Sequence, residues 1–179
     1  MASLRRAGAY SRKIARPFTR KSRNRKKAYI KTIPGSKLVK FEMGKGKLYR
    51  AGEFKYIVKL VSKDKVQIRD NALEACRTYV NKQLDQELQG RYYFAIKVYP
   101  HHLLRENKTA AGAGADRLSS GMKHSFGIII GRAAMVSPGQ TVLLAACATE
   151  KDARFAKTVL AKVKPKIASK AKVTFEKVE

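Results

Sequence analysis

Residues 71–100 read NALEACRTYVNKQLDQELQGRYYFAIKVYP and combine two different hydrophobic patterns. In the first part, apolar side chains recur every three or four positions, at Leu73, Cys76, Val80, Leu84 and Leu88. This spacing places them along one side of a helix. The sequence therefore predicts a helix over 71–89 whose apolar stripe, Cys76 included, is buried.

The ends of this helix and the segment after it are also marked in the sequence. Asn71 followed three residues later by Glu74 is typical of a capping box, and Gly90 is typical of a helix C-terminus. Residues 91–100, RYYFAIKVYP, are rich in aromatic and β-branched residues and end at Pro100. That composition predicts a strand directly after the helix.

The segments before residue 71 predict strands joined by turns. Residues 38–43 predict a short strand followed by a tight turn at 44–46. Residues 54–69 alternate in part, which predicts a β-hairpin with its turn near Lys63 and Asp64. The GKG at 44–46 is a weak signal for a phosphate-binding loop, and the absence of GxxxxGK[ST] argues against nucleotide triphosphate binding.

The segments after residue 127 predict further strands and a second helix. Apolar runs at 128–130, 133–136 and 141–148 indicate strands, with Pro138 and Gly139 in a turn between the last two. Thr149 and Asp152 predict the cap of a helix over 150–163, and residues 172–178 alternate as a last strand. The predicted inner face of that helix consists of Ala153, Ala156, Val159, Leu160 and Val163.

This order of elements predicts an α+β fold, a mostly antiparallel sheet with two helices packed on one face. The chain has 179 residues, a length that suits one domain. We expect a basic N-terminal arm over 1–50, and a single α+β domain over 51–179 with an internal functional loop at 101–127. The second half of the domain follows that loop.

The charge indicates a polyanionic partner. The formal net charge is +27, and a compact domain with that charge repels itself unless a polyanion neutralises it. Residues 1–50 hold seventeen Lys or Arg and one acid, Glu42. Tyr10, Phe18 and Tyr29 are interleaved with these cations, which favours an arm that orders on RNA, its aromatic side chains stacking or anchoring it to the domain. The alternative is a solvated tail.

Composition also excludes several classes of protein. The two cysteines, Cys76 and Cys147, are too few for a zinc finger; a disulfide between them is possible in principle, but buried free thiols are favoured. The N-terminus lacks the apolar segment of a secretion signal, and the longest apolar run, 142–148, is too short to span a membrane. We expect an intracellular, soluble protein with no metal, no cofactor and no small-molecule substrate.

The segment 101–127, HHLLRENKTAAGAGADRLSSGMKHSFG, holds all three histidines of the chain. Adjacent histidines in an extended chain point in opposite directions, which disfavours a metal site at His101 and His102. No spacing singles out a serine nucleophile beside His124, so catalysis is poorly supported. The small residues at 110–115 let backbone approach phosphates or bases closely, which favours a loop packed against RNA over a mobile surface loop without function.

Several motifs resemble the ribosomal protein L-ten-e family of archaea and eukaryotes, the counterpart of bacterial L-sixteen. The resemblance covers nearly the whole chain. The family's loop pattern is matched by His102, Arg105, Asn107, Lys108, the AGADR of 113–117 and the GMKHSFG of 121–127. The GRAAMVSPGQ of 131–140, the PFTRKS of 17–22 and the IPGSKLVKFEMG of 33–44 resemble further family elements. The end of the chain at Glu179 resembles archaeal members.

This resemblance implies a non-catalytic, structural constituent of the large ribosomal subunit, located in the cytoplasm on the ribosome. Its partners would be large-subunit ribosomal RNA and the tRNA acceptor end near the peptidyl-transferase centre, with 5S ribosomal RNA and neighbouring ribosomal proteins as further candidates. The expected residues for ribosomal RNA are Arg5, Arg6, Arg12, Lys13, Arg16, Arg20, Lys21, Arg23, Arg25, Lys26 and Lys27. Those expected in a tRNA-proximal loop are His102, Arg105, Asn107, Lys108, Arg117 and Lys123.

Three alternatives stay open at the level of sequence. A non-ribosomal architectural protein would bind duplex DNA as tightly as ribosomal RNA. An RNA-modifying or RNA-cleaving enzyme would need its histidines for turnover. A membrane-surface protein is the least supported, because no strongly amphipathic basic helix is present.

Overall fold

The computed structural model describes residues 8, 10, 11, 30, 32–106 and 127–178. These residues form eight strands and three α-helices. In chain order they are β1 (Glu42–Gly44), α1 (Gly46–Arg50), β2 (Tyr56–Ser62), β3 (Val66–Arg69), α2 (Asp70–Leu88), β4 (Tyr92–Ile96), β5 (His102–Glu106), β6 (Ile128–Val136), β7 (Thr141–Cys147), α3 (Glu150–Lys162) and β8 (Ala171–Lys177). A 3-10 turn, Lys164–Lys166, separates α3 from β8.

The strands form two antiparallel sheets. The five-stranded sheet has the order β1-β4-β7-β2-β8, and the three-stranded sheet has the order β3-β6-β5. Every strand pair is antiparallel, which confirms the predicted α+β class. The single predicted sheet is divided in two, because the chain leaves the first sheet after β2 and again after β4 and adds β3 and β5 to the second.

The predicted hairpin over 54–69 is wrong in its pairing, although both of its strands exist. β2 pairs with β7 on one side and with β8 on the other. It is therefore an interior strand without a free edge, and β3 pairs with β6 instead. Alternation along a strand reports which side chains are buried and not which strand is the partner, so the sequence pattern could not distinguish these arrangements.

The two long helices pack on one face of the five-stranded sheet and on each other. α3 lies against β2, β7 and β8, and α2 contacts β4 together with β3 and β6 of the second sheet. The predicted apolar stripe of α2 and the predicted inner face of α3 are buried in a common core. The face of the sheet that they cover contributes Val58, Leu60, Phe94, Leu143 and Ala145 to this core.

The opposite face of the sheet is covered by α1. The alternate residues of β4 and β7, among them Tyr93, Leu144 and Ala146, form a second cluster there with Phe54. The ring of Tyr49 in α1 stacks on that of Tyr93, with centroids 4.3 Å apart. Helix α1 was not predicted, because five residues flanked by glycine give too short a hydrophobic pattern.

The predicted turn at 44–46 brings the chain close to β4. Gly44 has φ +81°, and the backbone N–H of Lys45 donates a hydrogen bond of 2.9 Å to the carbonyl of Tyr92. A Cβ on Gly44 would lie 2.2 Å from that same carbonyl oxygen. The GKG motif therefore has a packing reason, and the phosphate-binding interpretation is not needed.

The start of α2 differs from the predicted capping box. Its N-cap residue is Arg69, whose side chain makes no capping bond. The buried carboxylate of Asp70 accepts the N–H of Asn71 at 2.8 Å and that of Lys37 at 3.0 Å, and Glu74 accepts the N–H of Val39 at 3.2 Å. These acidic residues thus hold the segment 37–39 against the helix, where their charge also suits the positive end of the helix dipole.

Helix α3 has the predicted cap, since the N–H of Asp152 donates to Oγ1 of Thr149 at 3.2 Å. We expect Thr149→Ala to lower the free energy of unfolding by about 1 kcal/mol, because one buried helix-end donor loses its partner. Urea denaturation measures this. Thr158→Ala, at an exposed position in the middle of the same helix, is the control and should change stability little. Equal effects of both substitutions would contradict the capping role.

Both cysteines are buried and free, as expected. Burial raises the pKa of the Cys76 and Cys147 thiols to about 12, so both stay protonated at neutral pH. In the part of the chain that the structure describes, no helix combines the length and apolar character needed to cross a membrane.

Candidate nucleic-acid interface

Most residues predicted to bind nucleic acid lie outside the described residues. This applies to all eleven arm residues predicted for ribosomal RNA, and to Asn107, Lys108, Arg117 and Lys123 of the loop. Of the predicted tRNA-proximal set, the structure places His102 and Arg105, both in β5. Within the predicted arm, Leu38 is buried in the main core, and residues 42–50 pack on the five-stranded sheet.

The segment predicted as a loop begins later than residue 101. Residues His102–Glu106 form β5, which pairs antiparallel with β6, with His102 opposite Ala133 and Glu106 opposite Ile128. The register shifts between Leu104 and Arg105, a bulge-type irregularity. The two strands therefore provide a paired base from which the segment 107–126 departs and to which it returns.

His102 is buried within this base, with 3% of its surface exposed. Among the residues that the structure describes, its Nδ1 has no hydrogen-bond partner. Desolvation, followed by the positive charge of Arg105, lowers the pKa of His102 below its ordinary value of 6.5. The burial gives no support to a direct contact between this ring and tRNA, and that role stays a prediction.

The lowered pKa of His102 makes stability depend on pH. As the pH falls through about 6.5, the unfolded chain binds a proton at this imidazole while the folded chain does not. We therefore expect the free energy of unfolding to decrease below that pH, by at most about 1.4 kcal/mol per pH unit from this group.

Chemical denaturation of wild type and His102→Gln between neutral and mildly acidic pH measures this contribution. The variant should show a shallower decrease than wild type, whatever its stability at neutral pH. Parallel profiles for wild type and His102→Gln would contradict the assignment.

The arm touches the second sheet at Tyr10 and Ser11. The backbone N–H of Gln67 in β3 donates to the carbonyl of Ser11 at 3.0 Å, and the Gln67 side-chain amide donates to the carbonyl of Tyr10. The Tyr10 hydroxyl donates to the carboxylate of Glu106 at the end of β5. Tyr10 thus anchors the arm to the domain, as the interleaved aromatics suggested, at the base of the 107–126 segment.

A basic surface on α3 and the turn after it was not predicted from sequence. Its cations are Lys151, Arg154, Lys157, Lys162, Lys164 and Lys166. One acid, Glu150, is paired with Arg154 at 2.6 Å, and both side chains are largely exposed, so this pair adds little stability. The signal in the sequence was the polar side of the predicted helix, where lysine recurs opposite the buried alanines.

In the ranges that the structure describes, no three His, Cys, Asp or Glu side chains form a group that could hold a metal ion. The described surface carries exposed lysine and arginine side chains around two antiparallel sheets. Such a surface can neutralise phosphates and position a backbone without sequence-specific chemistry.

Comparison with known proteins gives a consistent assignment. The sequence profile of the ribosomal protein L16p/L10e family matches residues 16–174. The large ribosomal subunit protein uL16 of Archaeoglobus fulgidus is 38% identical over 167 residues, which cover 93% of this chain and 90% of that protein. The uL16 of Staphylothermus marinus is 41% identical over 174 residues, which cover 97% and 94%. The uL16 of Methanococcus maripaludis strain C5 is 46% identical over 143 residues, which cover 79% and 76%.

Proposed function

The chain belongs to the ribosomal protein L16p/L10e family, and from this premise we propose how it acts as a structural constituent of the large ribosomal subunit in the cytoplasm. The basic arm neutralises phosphates of large-subunit ribosomal RNA. The 107–126 segment extends towards the tRNA acceptor ends near the peptidyl-transferase centre and supports tRNA positioning. The chain contributes no catalytic group of its own.

The observation that carries this proposal is the extent of the family match. It runs from residue 16 to residue 174, so it includes most of the basic arm, both sheets and the segment between β5 and β6 in one continuous assignment. A match limited to residues 51–179 would leave the arm without a counterpart. The continuous match over 16–174 supports treating the arm, the sheets and this segment as parts of one ribosomal protein.

The contacts of Tyr10 support a joint role for the arm and the loop. They hold the arm at Gln67 and Glu106, which is the last described residue before the 107–126 segment. Arg5, Arg6, Arg12 and Lys13 are within five residues of Tyr10 in the sequence, and we propose that they bind RNA next to that segment. RNA bound by the arm would in turn fix where the segment projects.

The charge on the folded domain supports contacts beyond the arm. The basic surface of α3 is separated from Tyr10 in the fold, since α3 lies on the first sheet and Tyr10 on the second. A cationic surface away from the point where the arm is anchored suits a protein that contacts RNA at more than one place. We include 5S ribosomal RNA and neighbouring ribosomal proteins among the proposed partners.

Sedimentation of the tagged full-length chain from an archaeal host tests the proposal. We expect it in the large-subunit, whole-ribosome and polysome fractions, with release only at salt concentrations that also strip other ribosomal proteins. A chain that instead followed chromosomal DNA, with none on large subunits, would contradict the proposal and favour an architectural DNA-binding protein.

A further inference from the structure

A second RNA-facing feature lies between β4 and β5. Residues 97–102, KVYPHH, alternate between exposed and buried side chains. Val98, Pro100 and His102 point into the protein, while Lys97, Tyr99 and His101 are exposed. The rings of Tyr99 and His101 lie on one side of the chain, since their centroids are 4.3 Å apart.

The exposed rings form a column with Phe41. The rings of Phe41 and Tyr99 are stacked, with centroids 5.3 Å apart and 17° between their planes. The ring of His101 follows at 4.3 Å from that of Tyr99, tilted by 45°. Tyr99 nevertheless remains 45% exposed, and the outer ring of the column, His101, is also exposed. The column therefore ends in aromatic surface that faces solvent.

The backbone beneath the column is fixed on both sides. The N–H of Ile96 donates to the carbonyl of Phe41 at 2.8 Å, and the N–H of Lys97 donates to the carbonyl of Val142 at 3.0 Å. The N–H of His101 closes a turn onto the carbonyl of Tyr99 at 2.9 Å. Because the rings are already held in place, a ligand that stacks on them loses little freedom in the protein.

Two cations flank the rings. Lys97, two residues before Tyr99 in the sequence, is exposed, and Nη1 of Arg132 in β6 donates to the Tyr99 hydroxyl at 3.5 Å. Exposed aromatic surface between a lysine and an arginine matches the chemistry of a nucleotide, whose base stacks while its phosphates meet cations.

We propose that the column of Phe41, Tyr99 and His101 is a stacking site for one unpaired nucleobase of RNA, with Lys97 and Arg132 at the adjoining phosphates. This site would be one further contact in the proposed binding to ribosomal RNA. The identity of the bound RNA rests on that proposed function. Its contact differs in kind from those of the arm's cations, because stacking distinguishes an unpaired base from a paired one whereas phosphate contacts do not.

The test uses the full-length protein and two RNA hairpins of equal length, one fully paired and one with a single bulged 2-aminopurine. We expect wild type to bind the bulged hairpin more tightly and to quench the fluorescence of the 2-aminopurine. Loss of one stacked base corresponds to about 5- to 150-fold in affinity. Tyr99→Ala should therefore lose most of the preference for the bulge, while Tyr99→Phe should keep it.

Tyr99→Leu is the second variant, since it keeps apolar volume at this position and removes the flat ring; it should behave as Tyr99→Ala does. Thermal unfolding of each variant establishes that it is folded. An unchanged preference and unchanged quenching in both Tyr99→Ala and Tyr99→Leu would overturn the proposal and leave the rings as a contact for a protein.

Failure of this site and failure of the ribosomal role give different results. If the stacking site is absent, the variants keep wild-type sedimentation with large subunits and wild-type affinity for the bulged hairpin. If the ribosomal role is wrong, wild type fails to sediment with large subunits even when it prefers the bulged hairpin.

Discussion

Replacing Gly44 by alanine is expected to lower the free energy of unfolding by about 3–5 kcal/mol, from left-handed backbone strain together with overpacking. Gly44 has φ +81°, a conformation that L-residues adopt only at a cost. The new Cβ would also lie 2.2 Å from the carbonyl oxygen of Tyr92, which belongs to the backbone and cannot rotate away. Relief of that clash would break the hydrogen bond from Lys45 to the same oxygen and loosen β1 from β4.

Gly52→Ala is the matched control for this prediction. Gly52 has the same φ of +81°, but no atom lies within 4 Å of the position that its Cβ would take. We expect it to cost only the backbone strain, about 1–2 kcal/mol. Urea denaturation of both variants separates the two contributions. Equal losses would mean that close approach to Tyr92 is unimportant and that the glycine serves only the turn.

Replacing Arg20, Arg23 and Arg25 of the arm by glutamine is expected to weaken binding to transcribed large-subunit ribosomal RNA by about 100-fold at physiological salt. The slope of log affinity against log salt should flatten by about 0.7–0.9 for each lost phosphate contact, so by about 2–3 for the three. The reason is counterion release. Each arginine that no longer contacts a phosphate leaves its counterions on the RNA, so fewer ions are released on binding and the affinity depends less on salt.

The matched control replaces the same three arginines by lysine. Lysine keeps the charge, so the salt slope should stay close to that of wild type even if individual hydrogen bonds change. Filter binding over a range of salt concentrations measures both affinity and slope. A glutamine variant with an unchanged slope would count against the arm as a phosphate-binding element.

Local periodicity accounts for the parts of the fold that the sequence predicted well. The stripe from Leu73 to Leu88 and the inner face from Ala153 to Val163 are long enough to define a helix and its buried side. The predicted 71–89 differs from α2 by one residue at each end, and the predicted 150–163 differs from α3 by one residue at its C-terminal end. Strand β4 was also expected from its aromatic and β-branched residues.

Strand pairing was not accessible in the same way. Residues 56–62 and 66–69 alternate as strands of a hairpin would, yet they belong to different sheets. The partners of β2 are β7 and β8, which begin about 85 and 115 residues further along the chain. In the same way, β5 was taken for loop because its short run after Pro100 shows its strand character only when paired with β6.

The candidate site was predicted at the level of segments more than of residues. Charge and interleaved aromatics pointed to an anchored arm, and Tyr10 is such an anchor. His102 was assigned to the loop from its neighbours in sequence, but its burial depends on β6, which lies beyond the loop. The cations of α3 and the ring column at Tyr99 involve side chains whose proximity or common face appears only in the folded chain.

Crosslink mapping tests the central claim most directly, namely that this chain binds large-subunit RNA through its arm and approaches tRNA through its loop. Cells that produce the tagged protein would be irradiated with ultraviolet light, and the protein purified under denaturing conditions for sequencing of attached RNA and peptides. We predict crosslinks from residues 1–50 to large-subunit ribosomal RNA, and from the 107–126 segment to RNA next to the tRNA acceptor end. Crosslinks dispersed over messenger RNA or DNA, with none to the large subunit, would contradict the claim.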